Sequence, residues 1–359
     1  MNLLYLINYA GKAGTEKYVA ELMRLCSAEG HRCHLCYSVA GELSRRAEAA
    51  GYPVLRLDMR PRRVLPAARA LAEYCRRERI DVIHAQYPRE NVIALLARRR
   101  FPGIRVVFTS HLTLTQNALW RAVNRRLTPE NEAVVAVCTE GAGVLRKNGV
   151  CEDRIRVIFN GVEPKEPLPR MNRIREEFSL SPDTFVFVTF ARYAPEKGLD
   201  FLLEALRGLK DRTERPFVCL IAGDGEDFDR IGRRAAALGL EREVLRAGYR
   251  RDTPELLASA DAYVSSALYN EAMSFAILEA MAQGLPLAVT RVGAGSDLAE
   301  GCGLAVEPGD VKALTEGLER LLCDSALCER WGRAAREKAL REYDLRRQTE
   351  KLLALYRGE

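Results

Sequence analysis

Short apolar runs alternate with helix-length segments along this chain, and the alternation stops once and then restarts. Few folds satisfy such a pattern. In the first half the runs fall at 2–8, 33–39, 54–57, 81–85, 105–109, 133–138 and 155–159, with helical lengths such as 15–29, 41–50, 64–79 and 90–100 between them. The break is NGVEPKEPLPRMN (160–172), whose three prolines and weak periodicity suit a linker. Runs resume at 185–190, 217–222, 244–247, 262–265, 286–290 and 303–306. Helices are expected at 311–323, at 326–341 and after Tyr343. Strands that are continuously apolar, separated by helices, predict a parallel sheet covered on both faces. The expected class is therefore α/β, with two doubly wound, Rossmann-like domains in series. Such sheets bind ligands at the carboxyl ends of their strands, so a cleft between two facing domains is the expected site.

The bulk numbers narrow the partners. A length of 359 residues suffices for two full cores. The ten cysteines show no disulfide rhythm, and Cys33 and Cys36 in one strand would point to opposite faces, so buried free thiols are expected and no metal site. No apolar run reaches the roughly 18 residues of a membrane span. The first residues read as a strand and not as a secretion leader, so the expected location is cytoplasmic, at the inner face of the membrane if peripheral. Residues 1–160 carry 26 Lys+Arg against 15 Asp+Glu, and the remainder carries 29 against 34. The runs at 60–63 and 98–100 read either as solvated helix faces or as a cationic surface for anionic lipid or a phosphate-bearing acceptor. Aromatics are not interleaved with them, which argues against nucleic acid.

Four stretches carry candidate chemistry. In SSALYNEAMSFAILEAMAQG (265–284), Glu271 lies before an expected helix and Glu279 inside it. Ser274 would cap that helix and Gly284 would end it. Backbone N–H groups around Met273, Ser274 and Phe275 would suit a phosphate, and carboxylates suit sugar hydroxyls. In FARYAPEKGLD (190–200), Arg192 and Lys197 follow a strand and could meet a diphosphate, or be plain surface cations. In NYAGKAGTEKYVAEL (8–22), Gly11 and Gly14 allow close backbone approach, yet neither a Walker A loop nor G-x-G-x-x-G is present. His111 in VVFTSHLTL follows a strand, and His84 is left as a satisfied core histidine.

In order and spacing these stretches resemble the GT-B glycosyltransferases of the retaining family 4 type, over nearly the whole chain. The resemblance rests on the E-x(7)-E pair Glu271 and Glu279, on RYAPEKG, on NGVE at 160–163, on ADAYVSSALYNEA and on TRVGAGSDL at 290–298. It implies an N-terminal acceptor-side domain at 1–163, a nucleotide-sugar domain at 164–342 and a helix at 343–359 crossing back. It implies that Arg192 and Lys197 neutralise the departing diphosphate, that Glu279 holds the ribose and Glu271 the transferred sugar, and that amides of Met273, Ser274 and Phe275 meet sugar or phosphate. Gly11 would approach the diphosphate, and His111 would lie beside the reacting sugar. It implies a UDP- or GDP-linked donor, a hydroxyl acceptor that can be lipid-linked, no cofactor and no bound metal. Ala272, Ala191, Gln86, Ala294 and Asp297 depart from the family's usual residues. The alternatives are a nucleotide-sugar-binding protein without transfer and a GT-B-fold epimerase; a phosphorylase would need a pyridoxal lysine, and a dehydrogenase lacks its fingerprint.

Overall fold

The computed structural model describes residues 1–359. The chain divides into two compact units: Met1–Asn160 with Leu345–Glu359, and Gly161–Asp344. In the first unit the strands are β1 (Asn2–Tyr9), β2 (Arg32–Val39), β3 (Val54–Arg56), β4 (Val82–Ala85), β5 (Arg105–Ser110), β6 (Ala133–Ala136) and β7 (Ile155–Val157). They form one parallel sheet in the order β3-β2-β1-β4-β5-β6-β7. In the second unit β8 (Phe185–Phe190), β9 (Phe217–Ala222), β10 (Val244–Gly248), β11 (Ala262–Ser265), β12 (Leu287–Thr290) and β13 (Gly303–Val306) form a parallel sheet ordered β10-β9-β8-β11-β12-β13. Both orders reverse direction beside their first strand, and that reversal is where doubly wound sheets open a ligand crevice. Every apolar run of the sequence is a strand. The fold is GT-B: two Rossmann-like domains.

The cores follow from the strand composition. Leu4, Leu6, Ile83 and Val106 meet Leu71, Ile93 and Leu95 of the covering helices, all nearly or fully buried. In the second unit Phe187, Cys219 and Ile221 pack under Leu202, Leu206 and Leu318. Three strands, β3, β6 and β7, end sooner than their apolar runs. β6 stops at Ala136 because Cys138 caps the helix Thr139–Lys147, its Sγ accepting from the Gly141 N–H.

The segment read as a linker is a strap bound to the second unit. Its prolines supply no N–H groups for a regular ladder, but its other groups find partners. The Val162 N–H donates to the Tyr343 carbonyl at 2.8 Å, and Val162 bridges Asp344. Gln283 holds Leu168 by two bonds, accepting from its N–H at 3.1 Å and donating to its carbonyl at 2.7 Å. Arg336 donates to the carbonyls of Lys165 (3.2 Å) and Ala282 (2.7 Å).

The last helix, Leu345–Arg357, belongs to the first unit and buries Leu345, Leu352, Leu353 and Tyr356 there. The Tyr356 hydroxyl lies 2.6 Å from His84 Nδ1, and His84 Nε2 lies 2.7 Å from Thr109 Oγ1. Both ring nitrogens of this buried histidine are thus occupied, and burial with nearby His111 pushes its pKa down to about 3. His84 is a core histidine tying the C-terminal helix to the sheet.

The cysteines are free and seven of the ten are buried. Cys33 sits near Cys26 on one face of β2, and Cys36 near Cys75 on the other. Of the basic runs, Arg60 and Arg63 pair with Asp58, Arg99 pairs with Glu130, and Arg98 donates to the Glu130 carbonyl. Much of their charge is therefore answered locally.

Candidate active site

In the second unit the assigned residues sit beyond the carboxyl ends of β8 and β11. After β8 the chain makes a 3-10 turn, Pro195–Lys197, and Gly198 follows with φ 60°. A Cβ at Gly198 would stand 2.2 Å from the Ser266 carbonyl oxygen, so only glycine lets this turn lie against the segment after β11. Ser266 Oγ donates to the Lys197 carbonyl at 2.9 Å, and the Leu268 N–H donates to the Glu196 carbonyl at 2.8 Å. The clamp brings Lys197 Nζ onto the Glu271 carboxylate in a half-buried ion pair. Arg192 pairs with Glu196 and keeps its side chain largely in solvent. Its loop is pinned from β9's end, where the Tyr193 N–H donates to the Asp224 carbonyl at 2.8 Å.

Glu271 is fixed from a third side. Gly293 has φ 59°, and a Cβ there would stand 2.2 Å from the Glu271 carbonyl oxygen and 2.3 Å from that of Ala272. The Ala294 N–H donates to the Ala272 carbonyl at 2.7 Å. The turn after β12 thereby holds the glutamate segment by its backbone. The helix Phe275–Gln283 follows, with Ser274 extended at its N-cap and Gly284 left-handed at its end. Ser274 makes no side-chain cap bond. Met273 is buried, while Ser274, Phe275 and Glu279 are half-buried. Helix geometry leaves the first-turn N–H groups without partners inside the helix.

Tyr263 on β11 links these parts. Its hydroxyl accepts from the Phe190 N–H at 3.3 Å. Burial raises its pKa first, and the carboxylates of Glu271 and Glu279 raise it further. Both glutamates therefore lie within electrostatic reach of one buried phenol at the strand ends. Lys197 and Glu271 are brought together; Arg192 lies on the neighbouring loop paired with Glu196, and Glu279 lies half-buried in the helix that follows Glu271.

Gly11 and His111 lie in the first unit. Gly11 is buried beside the Tyr9 ring. His111 is half-buried, edge-on to Tyr18 with centroids 4.9 Å apart, and burial lowers its pKa. The buried Gln86 orders it. Gln86 Nε2 donates to the His84 carbonyl at 3.0 Å, which leaves Oε1 to accept from His111 Nε2 at 2.9 Å. His111 therefore carries its proton on Nε2, and Nδ1 holds the lone pair. Gln86, noted in the sequence only as a departure, is thus the residue that sets the tautomer.

The sequence holds an Asp-x-Asp triplet, Asp227-Phe228-Asp229, the spacing of a carboxylate metal site, which corrects the expectation that the chain has no such triplet. Asp227 bonds Arg230 Nε at 2.9 Å, and no group of three His, Cys, Asp or Glu side chains is placed to hold a metal ion.

Residues 171–338 match the family described as glycosyl transferases group 1, and residues 13–166 match glycosyltransferase family 4. The chain is a family 4 glycosyltransferase. Among relatives of this glycosyltransferase, the Escherichia coli UDP-Gal:alpha-D-GlcNAc-diphosphoundecaprenol alpha-1,3-galactosyltransferase is 25% identical, over 80% of this chain and 78% of the relative. The Bacillus anthracis N-acetyl-alpha-D-glucosaminyl L-malate synthase is 26% identical, over 81% and 77%. Among solved structures, Anabaena HepE in complex with UDP superposes with a TM-score of 0.89 at 20% identity, over the whole of both chains. A Rickettsia africae glycosyltransferase gives 0.87 at 21% identity, over 99% of this chain and 98% of that one.

Proposed function

We propose that this glycosyltransferase moves a sugar from a nucleotide-diphosphate donor to a hydroxyl acceptor, with retention at the anomeric carbon and without a bound metal. The observation that carries the reading is the clamped Lys197–Glu271 contact, with Glu279 sharing the field of Tyr263. Lys197 and Arg192 supply fixed positive charge for the diphosphate, and Glu271 and Glu279 supply acceptors for hydroxyls of the sugar and the ribose. Amides of Met273, Ser274 and Phe275 add helix-terminus dipoles. Gly11 and His111 are assigned to the donor by resemblance to the family. In the reaction the bond from C1 to the phosphate oxygen breaks and a bond from C1 to the acceptor oxygen forms. The acceptor's proton passes to the departing phosphate oxygen, so no further base is needed. Cations held in advance stabilise the negative charge that builds on the leaving group. On donor binding the diphosphate replaces Glu271 as the partner of Lys197, which releases the carboxylate for hydroxyls.

HepE carries UDP, and the Escherichia coli relative is named for a UDP-galactose donor, so UDP-sugars are tested first and GDP-sugars beside them. A thermal-shift panel is expected to give one productive donor. At about 100 times its Kd that donor adds about 2.7 kcal/mol, a rise of several degrees for units of this size. NMR of the product is expected to show the donor's anomeric configuration. An unchanged midpoint with every nucleotide sugar would refute the reading, and binding without transfer to any acceptor would mark a binding protein.

The acceptor is proposed to be presented at an anionic membrane surface. Leu112, Leu114 and Leu119 are 41%, 43% and 72% exposed, and Arg121, Arg125 and Arg126 stand exposed in the helix Ala118–Leu127. Apolar side chains flanked by arginines suit an anionic interface. Binding to phosphatidylglycerol vesicles is expected, weakening as salt rises and lost on Leu119→Asp. Equal binding to phosphatidylcholine vesicles would contradict it.

A further inference from the structure

The second unit holds a cavity of about 550 Å³ lined by three arginines, Arg170, Arg175 and Arg215. Its lining includes Phe185, the first residue of β8, Pro216, just before β9, and Asp261, just before β11. Those three strands are neighbours in the parallel sheet, so the cavity stands at its amino edge. The residues assigned to the donor stand beyond the carboxyl ends of β8 and β11, at the opposite edge. The transfer reaction makes no use of these arginines.

The charges of the lining do not balance. Arg175, in the helix Arg173–Glu177, is 8% exposed. It donates to the carbonyls of Ser259 (3.0 Å) and Thr184 (2.8 Å) and to Asp261 Oδ2 (2.7 Å). Its buried Nε meets no acceptor. Arg170 shares the same carboxylate, donating to Asp261 Oδ1 and to the Ala260 carbonyl. The Val186 N–H also donates to Asp261 Oδ2, at 2.7 Å. One carboxylate thus answers two guanidinium groups, with both its oxygens engaged. Arg215 lies 5.7 Å from the centre of the Phe185 ring, donates from one terminal nitrogen to the Leu322 carbonyl, and pairs with no carboxylate. The other acid of the lining is Asp183, exposed at the rim and outside any ion pair. Three cations stand against two anions, and one of those anions is solvated.

We propose that this cavity binds the phosphate group of a small molecule, at a site separate from the donor residues. A guanidinium fork matches two phosphate oxygens at once, and Arg215 keeps its Nε and second terminal nitrogen for such a pair. Arg175 adds a buried positive charge, which solvent and salt screen least. Asp261 is already held by three donors and does not compete for the arginine that remains. Asp183 opposes an anion from the rim, so its removal should favour binding. The volume admits a whole phosphate ester and not the phosphate alone. The site stands on the second unit's amino edge and does not depend on the transfer reading.

The test is calorimetric titration of the full-length protein, at constant ionic strength, with inorganic phosphate, glucose 6-phosphate and AMP, each with and without saturating UDP. At least one of the three is expected to bind, with the same dissociation constant when UDP is present and in Lys197→Ala. Arg215→Gln is expected to weaken it by about tenfold or more, as the loss of one charge-assisted bond implies. Asp183→Asn is expected to tighten it, a gain that no misfolded variant would give. UDP binding should be unchanged in both. Inorganic phosphate binding as tightly as the esters would mark free phosphate as the occupant, and a preferred ester would mark the group that accompanies it. The proposal is overturned if none of the three binds, or if Arg215→Gln and Asp183→Asn both bind as wild type. It is overturned equally if UDP or Lys197→Ala removes the binding, since the phosphate then sits among the donor residues. Phosphate binding that survives Lys197→Ala, in a protein that binds no nucleotide sugar, would keep this site and sink the transfer reading.

Discussion

Exchanging the two charges, Lys197→Glu with Glu271→Lys, is expected to recover the stability that either single substitution loses, and to recover none of the turnover. The two side chains are 25% and 18% exposed, so each single change strands a partly desolvated charge. That should cost on the order of 1–3 kcal/mol of stability in the second unit. Turnover should fall about 10²–10³-fold in each single variant, the size seen when one preorganised group is removed from developing charge. The swapped pair restores an attraction across the same contact, because the Gly198 and Gly293 turns hold both backbones in place. It also places a carboxylate against the diphosphate and a cation against the sugar, so catalysis stays lost. Melting temperature and kcat measured on all four proteins form one double-mutant cycle. Recovery of both quantities together would mean that the pair only braces the fold.

Tyr356→Ala is expected to destabilise the first unit by about 3–5 kcal/mol, as for other buried aromatic truncations. Tyr356 is fully buried, its hydroxyl meets His84 Nδ1 at 2.6 Å, and Arg105 donates to its carbonyl. Tyr356→Phe removes only the hydroxyl and should cost about 1 kcal/mol. Deleting residues 345–359 exposes Leu352 and Leu353 as well and is expected to unfold that unit, since whole domains hold only about 5–15 kcal/mol. Denaturant titrations in a Trp331→Phe background, read out by Trp120 fluorescence for the first unit and by donor-induced stabilisation for the second, distinguish the two. Loss confined to the first unit is the expected pattern; an unchanged midpoint for Tyr356→Ala would mean that the helix is loosely docked.

The sheets were legible because a parallel strand buried on both faces must be apolar throughout, as FVFVTF and FVCLIA are. The helix Phe275–Gln283 was legible from Ser274 and Gly284 at its ends. The strap at 161–172 was not, because its order comes from partners such as Gln283 and Arg336, more than a hundred residues away in sequence. Lys197 and Glu271 were each singled out, yet their contact depends on Gly198 fitting against Ser266 and could not be read from spacing. Glu16 was passed over: it shares the buried side of its helix with Val19 and Met23, and it stands in the first turn, where the helix dipole favours a carboxylate. The Asp227 triplet shows the converse, a motif that its own neighbour Arg230 accounts for.

The central claim is that Lys197, Glu271 and Glu279 hold a nucleotide sugar in the second unit. Calorimetric titration with the donor selected by thermal shift, set beside its bare nucleoside diphosphate, tests it most directly. Glu279→Gln is predicted to weaken both ligands by tenfold or more, and Glu271→Gln to weaken the sugar-bearing one alone. Identical dissociation constants for wild type and both variants would contradict the account.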